Sequence, residues 1–99
     1  MEEQKLDVSV VVPLYNEEES LPELVAWIDR VAQNNKLSYE IIMVDDGSSD
    51  NSWAVVEQLK EQYPAIKGIR FARNYGKSAA LYCGFEKAEG EVVFTMDAD

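Results

Sequence analysis

The sequence predicts an α/β domain built on a mainly parallel sheet with helices on both faces. Four short apolar runs rich in β-branched residues predict strands, and apolar residues at helical spacing follow each of the first three. The order βαβαβαβ, which stops after the fourth strand, favours right-handed crossovers, and these bring the carboxyl ends of all strands to one edge of the sheet. The predicted strands are Asp7–Leu14, Tyr39–Val44, Ile66–Phe71 and Glu91–Met96.

The end of the first strand and the start of the first helix have clear signals. Pro13 cannot donate a backbone hydrogen bond, so the strand should end near it. Ser20 with Glu23 three residues later is the pattern of a capping box, which predicts a helix that ends at Asn34-Asn35. Its apolar stripe consists of Leu21, Leu24, Val25, Ile28, Val31 and Ala32.

The second and third helices differ in their apolar surfaces. The second should be capped by Ser49 or Asp50 and should end before Pro64. The third, Ser78–Ala88, is apolar almost all round, which predicts burial, and Gly90 separates it from a fourth strand that is also predicted to be buried. The apolar face of the second helix is formed by Trp53, Val56, Leu59 and Tyr63.

The composition indicates one small domain, residues 1–99, and argues against several classes of protein. A net charge of −10 opposes binding to nucleic acids, because their phosphates would be repelled. No apolar run approaches the roughly 18 residues of a membrane span, the first residues lack the features of a signal peptide, and the single cysteine, Cys83, cannot form an internal disulfide. These features favour a reducing, cytoplasmic setting. The segment Lys67–Lys77 has basic but no acidic residues, which suits either an anionic ligand or a solvated loop.

A polar loop follows the end of every predicted strand. In chain order the four loops contain "YNEEES", "DDGSSD", "ARNYGK" and "DAD". Ligands of open parallel sheets bind outside the carboxyl ends of the strands, where such loops meet. The sequence therefore predicts one binding site formed by the four loops.

Two pairs of aspartates in these loops point to specific chemistry. Asp97 and Asp99 are two apart, so in an extended chain their carboxylates lie on the same side and repel each other unless a proton or a cation lies between them. This favours a hard divalent cation such as Mg²⁺ over a solvated acidic turn. One of Asp45 and Asp46 could accept a hydrogen bond from a nucleobase or a ribose. Tyr15 could lie against a base or form part of the core.

Several common catalytic patterns are missing from the sequence. It has no histidine, no G-x-S-x-G, no G-x-G-x-x-G after the first strand and no G-x-x-x-x-G-K-[ST]. A nucleophilic triad, a dinucleotide fingerprint and a P-loop are therefore excluded.

Four blocks together resemble a known family. "VSVVVPLYNEEESL", "YEIIMVDDGSSDNS", "RNYGKSAALYCGF" and "GEVVFTMDAD" are similar, in order and spacing, to the N-terminal nucleotide-sugar half of the inverting family 2 glycosyltransferases, which have the Rossmann-like GT-A fold. The likeness runs from about Val8 to Asp99. "RNYGKSAAL" resembles the branch that contains dolichol-phosphate mannose synthase and bacterial polyprenyl-phosphate glycosyltransferases.

The resemblance implies a role for each matched residue. Asp97 and Asp99 would hold Mn²⁺ or Mg²⁺ on the diphosphate, with Asp97 also facing the ribose or sugar. Asp46 would read the base. The residues matched to the surroundings of the base and ribose are Pro13, Tyr15, Glu17, Asp45 and Asp46. Those matched to the loop beside the diphosphate and sugar are Arg73, Gly76 and Lys77.

The resemblance also implies what these 99 residues lack. The donor would be a UDP- or GDP-sugar, and the acceptor a polyprenyl phosphate or a glycan. Family members continue well past the D-x-D, so the acceptor site and the catalytic base are expected beyond Asp99. We therefore expect no catalytic residue and no transfer activity in this part alone. Membrane contact, at the cytoplasmic face, would come only from the later parts.

Two other classes fit part of the pattern. A phosphotransfer enzyme of the haloacid-dehalogenase type also runs an apolar strand into D-x-D, but near the start of its chain. A receiver-like signalling domain has paired acids such as Asp45-Asp46 and could use Asp97 as phosphoacceptor, but its paired acids close the first strand. Each class leaves several of the other blocks unexplained.

Overall fold

The structure is a computed structural model that describes residues 6–98, and it confirms the predicted alternation of strands and helices. Asp99, the second predicted metal ligand, lies outside the described residues. Within them, every helix is too short or too polar to cross a membrane. The elements are β1 (Val8–Leu14), α1 (Leu21–Asn34), β2 (Tyr39–Asp45), α2 (Ser52–Gln62), β3 (Ile66–Arg70), α3 (Lys77–Lys87) and β4 (Val92–Thr95).

The four strands form one parallel sheet in the order β3-β2-β1-β4. Val10 of β1 lies beside Ile41 of β2 and Phe94 of β4, so the central strands are paired on both sides. Because all pairs are parallel, the carboxyl ends of the strands lie at one edge, as predicted.

The alternation of side chains along each strand builds a separate core on each face of the sheet. Helices α1 and α2 cover one face, and α3 covers the other, which confirms the prediction of helices on both faces. The larger core includes Val10, Val12, Leu21, Val25, Ile28, Ile41, Met43, Val56 and Leu59. The smaller core, under α3, is formed by Val11, Ile42, Val44 and Ala80.

The predicted capping box at the start of α1 is wrong. Ser20 is the N-cap residue, but its backbone is already helical (φ −84°, ψ −23°), and its side chain makes no capping bond. The hydroxyl of Ser20 instead donates to Glu17 Oε2 at 3.3 Å. The predicted cap of α2 by Ser49 or Asp50 is also wrong, since the N-cap residue is Asn51, which makes no side-chain capping bond. Asp50 Oδ1 accepts the backbone N–H of Ser52 at 2.9 Å, and Ser49 bonds to the loop after β1.

The predicted burial of α3 and β4 is also wrong for the described chain. In α3, Ala80 and Gly84 are buried, but Tyr82 is 65% exposed, because the helix packs on β1 and β2 through one side only. Strand β4 is exposed along its whole length. It lies at the edge of the sheet and pairs with β1 alone among the described strands, so its apolar side chains remain uncovered.

A closed polar cluster joins the amino-terminal edge of the sheet on the α3 face. Glu40, which is 2% exposed, accepts the hydroxyl of Ser9 at 2.6 Å and the backbone N–H of Glu89 at 2.7 Å through Oε2. Its Oε1 lies 2.7 Å from Lys67 Nζ. The Ser9 hydroxyl in turn accepts the N–H of Gly90 at 2.7 Å. This Glu40 cluster ties β1, β2, β3 and the α3–β4 turn together.

Candidate functional site

An open cleft of about 210 Å³ lies at the carboxyl edge of the sheet, where the polar loops meet. It is opposite the Glu40 cluster along the strands. Most of the predicted site residues line it. The lining residues are Pro13, Leu14, Tyr15, Glu17, Asp46, Lys77, Asp97 and Ala98.

The loops after β1 and β2 are joined through Asn16, a residue that sequence reasoning missed. Its side-chain Oδ1 accepts the backbone N–H groups of Ser49, at 2.8 Å, and Asp50, at 3.2 Å. Its own N–H donates to the Ser48 hydroxyl at 2.8 Å. Asn16 has a positive φ of 54°, a conformation that asparagine tolerates better than most residues. The signal was available, since an asparagine shortly after the end of a strand is a common turn residue.

Glu17 is held beside the cleft by the start of α2. Its backbone N–H donates to the buried hydroxyl of Ser52 at 2.9 Å. Its side chain accepts the Ser20 hydroxyl, the bond that replaces the predicted capping box. Tyr15 is exposed on the rim. The first loop is therefore held in place by the start of α2.

The two adjacent aspartates after β2 have different surroundings. Asp45 is buried under the loop, and its Oδ1 accepts the N–H of Ser48 at 2.8 Å. Its Oδ2 is buried without a hydrogen-bond partner among the described residues. Asp45 is not among the residues that line the cleft, whereas Asp46 is.

Asp46 is 5% exposed and bonds to the loop after β3. Its Oδ1 accepts the N–H of Tyr75 at 2.7 Å, and its Oδ2 accepts the N–H of Gly76 at 3.0 Å. Its own N–H donates to the carbonyl of Leu14 at 2.9 Å. Asp46 therefore bonds both to the last residue of β1 and to the loop after β3.

The loop after β3 also packs closely on Gly47. Gly47 has a φ of +76°, and a Cβ there would lie 2.3 Å from the carbonyl carbon of Arg73. The guanidinium of Arg73 lies over the Tyr75 ring, 5.1 Å from its centroid. Arg73 and Gly76 were predicted site residues, but they form the loop behind the cleft and do not line it.

Lys77 and Asp97 form an ion pair in the cleft. Lys77 is the first residue of α3, and its Nζ lies 2.6 Å from Asp97 Oδ1. Both side chains are more than half exposed, so solvent and ligands can reach them.

The oxygen donors of the cleft suit a hard divalent cation. Within residues 6–98, no three His, Cys, Asp or Glu side chains are grouped to hold a metal by themselves. Mg²⁺ is usually held by one or two carboxylates together with phosphates and water, so Asp97 fits as one such carboxylate. The predicted partner, Asp99, is outside the described residues.

Solved structures share this fold and contain nucleotide sugars. The mannosyltransferase PcManGT from Pyrobaculum calidifontis, in complex with GDP-Man and Mn²⁺, is 29% identical with a TM-score of 0.74, over 97% of this chain and 28% of that one. The S. aureus protein TarS (residues 1–349), in complex with UDP-GlcNAc, is 29% identical with a TM-score of 0.74, over 95% of this chain and 27% of that one.

A curated relative is more similar in sequence. The undecaprenyl-phosphate 4-deoxy-4-formamido-L-arabinose transferase of Pseudomonas fluorescens (strain SBW25) is 46% identical over 93 residues, which are 93% of this chain and 27% of that protein. The chain thus spans about a quarter of the relative's length. The name of this relative agrees with the predicted likeness to polyprenyl-phosphate glycosyltransferases.

The family model described as glycosyl transferase family 2 matches residues 9–99, nearly the whole chain. The match covers all four blocks of the predicted resemblance except Val8, the first residue of the first block. The haloacid-dehalogenase and receiver alternatives therefore lose their support. The chain belongs to glycosyl transferase family 2.

Proposed function

We propose that this chain is the donor-binding part of a glycosyltransferase that moves a sugar from a nucleotide sugar to an acceptor. The observation that carries the proposal is the cleft, in which the Lys77–Asp97 pair and the residues after β1 share one opening. The nucleotide sugars bound to PcManGT and TarS support it. Residues 1–99 would be the N-terminal portion of the transferase domain.

The nucleoside would lie on the side of the cleft formed by the first two loops. Tyr15 offers an exposed ring for a base, with Pro13 and Glu17 beside it. Asp46 would accept an N–H of the base. Each of its oxygens accepts one backbone amide, and a carboxylate oxygen has a second lone pair for such a bond. Asp45, which is buried, would support the turn under the base.

The diphosphate would lie on the side formed by Lys77 and Asp97. Lys77 supplies a positive charge, and Arg73 and Gly76 shape the loop behind it. Asp97 together with Asp99 would hold Mn²⁺ or Mg²⁺. Such an ion, when bound, supplies Lewis-acid stabilisation of the leaving nucleoside diphosphate.

The acceptor would be a polyprenyl phosphate, as in the name of the Pseudomonas relative, and a glycan is the alternative. A lipid phosphate is already anionic and has less need of a catalytic base than a sugar hydroxyl. The acceptor site, any such base and any contact with the cytoplasmic face of a membrane would belong to parts of the protein beyond these 99 residues. Transfer would proceed with inversion of configuration.

The test is calorimetric binding of UDP and of GDP to the 99-residue chain, with Mn²⁺ and with excess chelator, after circular dichroism has established that it is folded. We expect binding with metal only, and loss of this metal dependence in Asp97→Asn. The matched control is Glu57→Gln, which removes an exposed acid from α2 and should bind as the unmodified chain does. Equal affinity with and without chelator would contradict the metal assignment. Lack of binding to both nucleotides in the folded chain would contradict the donor site.

A further inference from the structure

We propose that Asp46 is a positioning residue for the phosphate side of the cleft, in addition to its contact with the base. This inference rests on the proposed function. Its two carboxylate oxygens accept two successive backbone amides, those of Tyr75 at 2.7 Å and Gly76 at 3.0 Å. One side chain at the end of β2 thus holds the backbone of a loop about 30 residues further along the chain.

Lys77 directly follows the segment that Asp46 holds, and it supplies a positive charge to the cleft. Gly76 is the N-cap of α3, with a φ of 103°, and Lys77 is the first helical residue. The ammonium of Lys77 lies on Asp97 Oδ1 at 2.6 Å. Asp46 therefore determines the backbone position from which Lys77 reaches towards the phosphate side.

The chemistry of the carboxylate explains why an aspartate is needed for this task. Hydrogen bonds to an ionised acceptor are stronger than neutral ones, and the two oxygens of a carboxylate can each take one amide. An asparagine offers one oxygen, and its NH₂ group would face an N–H of the loop. Asp46→Asn should therefore release one of the two amides while changing the shape of the side chain very little.

The first test is hydrogen exchange of individual backbone amides, measured by NMR. In Asp46→Asn, one of the two amides, that of Tyr75 or that of Gly76, should exchange about tenfold faster or more, because its charge-assisted bond is replaced by the NH₂ group of asparagine. Asp50→Asn is the matched control. It removes the same charge from the same loop, but Asp50 accepts the amides of Glu18 and Ser52, so only those should exchange faster.

The second test separates positioning from a purely structural or base-reading role. Affinity for pyrophosphate with Mn²⁺ should fall about tenfold in Asp46→Asn, because Lys77 loses its fixed position. Pyrophosphate has no base, so a residue that only reads the base would leave this affinity unchanged. Unchanged pyrophosphate affinity together with unchanged exchange at Tyr75 and Gly76 would overturn the proposal.

The two proposals fail in different ways. If the unmodified chain binds neither nucleotide nor pyrophosphate, the proposed function fails, while the exchange measurement still decides whether Asp46 holds the loop. If Asp46→Asn does not fold, the exchange rates of the Tyr75 and Gly76 amides in the unmodified chain provide the test instead. Slow exchange at Tyr75 and Gly76 supports the proposal, and exchange there at the rate of an unstructured peptide overturns it.

Discussion

The two ends of the sheet each hold a lysine–carboxylate pair, and the pairs have nearly the same length but different surroundings. Lys67 Nζ lies 2.7 Å from Glu40 Oε1 at the amino-terminal edge, and Lys77 Nζ lies 2.6 Å from Asp97 Oδ1 at the carboxyl edge. The Glu40 side chain is 2% exposed, whereas that of Asp97 is 53% exposed. Distance alone therefore does not separate a structural pair from one that is available to a ligand.

The burial of the carboxylate and its further hydrogen bonds make the difference. Burial by itself would raise the pKa of Glu40, but hydrogen bonds from Lys67, Ser9 and the N–H of Glu89 outweigh it and hold the pKa below its ordinary value of 4.5. The Lys77–Asp97 pair is exposed, and such pairs contribute only about 0–1 kcal/mol to stability. The first pair, with the bond from Ser9, joins three strands of the sheet, and the second can be separated at little cost in stability.

The largest expected effect comes from breaking the buried pair of Glu40 and Lys67 at the amino-terminal edge of the sheet. Glu40→Gln should lower the free energy of unfolding by about 3 kcal/mol, because the Ser9 hydroxyl and the N–H of Glu89 lose their shared ionised acceptor. Lys67 also loses its buried partner and keeps only the exposed Glu89, at 3.6 Å. Asp97→Asn makes the same change at the carboxyl edge of the sheet and should lower the free energy of unfolding by less than about 1 kcal/mol. Urea unfolding of both variants measures the difference. Equal losses would mean that the two pairs do not differ as their burial indicates.

A somewhat smaller effect is expected at the carboxyl edge of the sheet, where the loop after β2 packs closely on the loop after β3. Gly47→Ala should cost about 2 kcal/mol, because the residue has a positive φ and its Cβ would meet the backbone of Arg73. Gly76→Ala is the comparison that isolates backbone strain, since a Cβ there has nothing within 4 Å while its φ of 103° and ψ of 157° lie in a region essentially confined to glycine. Thermal unfolding should show the larger loss for Gly47→Ala. If the two variants lose the same stability, backbone conformation alone explains the requirement for glycine.

The smallest expected effect is the change in the stability contribution of Glu40 as the pH falls. The folded pKa of Glu40 is depressed, so its contribution to stability is present above pH 4.5 and is lost as the pH falls through the folded pKa. The stability of Glu40→Gln should therefore fall less steeply below pH 4.5 than that of the unmodified chain, measured by urea unfolding from pH 7 to pH 3. Parallel curves would show that Glu40 does not titrate with unfolding.

Sequence reasoning predicted the strands, the loops and most of the cleft residues, because these depend on local patterns. Apolar β-branched runs predict β1 and β2, and a parallel sheet places their ends at one edge whatever the details of packing. The bonds that organise the site were not predictable in this way. Asn16, Ser52 and Asp46 each bond to a segment about 30 to 35 residues away, and no local pattern records such a partner.

The exposure of β4 and α3 is a second feature that local sequence patterns did not predict. Their sequences predict burial, but exposure depends on what covers them, and the described chain places β4 at the edge of the sheet with Val92 and Phe94 in the open. The hydrophobic pattern of a segment predicts which of its side chains are suited to burial. The arrangement of neighbouring elements then determines how much of that apolar surface is actually buried.

By itself, the sequence determined the α/β class, the chain order of the elements and the family, since these follow from periodicity and from motifs that are contiguous in the chain. Only the tertiary structure decided that Asp45 lies under the loop while Asp46 faces the cleft and holds the backbone before Lys77. Adjacent residues in a loop differ in burial and partners because side-chain direction depends on backbone geometry. The partners of these two residues come from segments that meet only when the sheet forms.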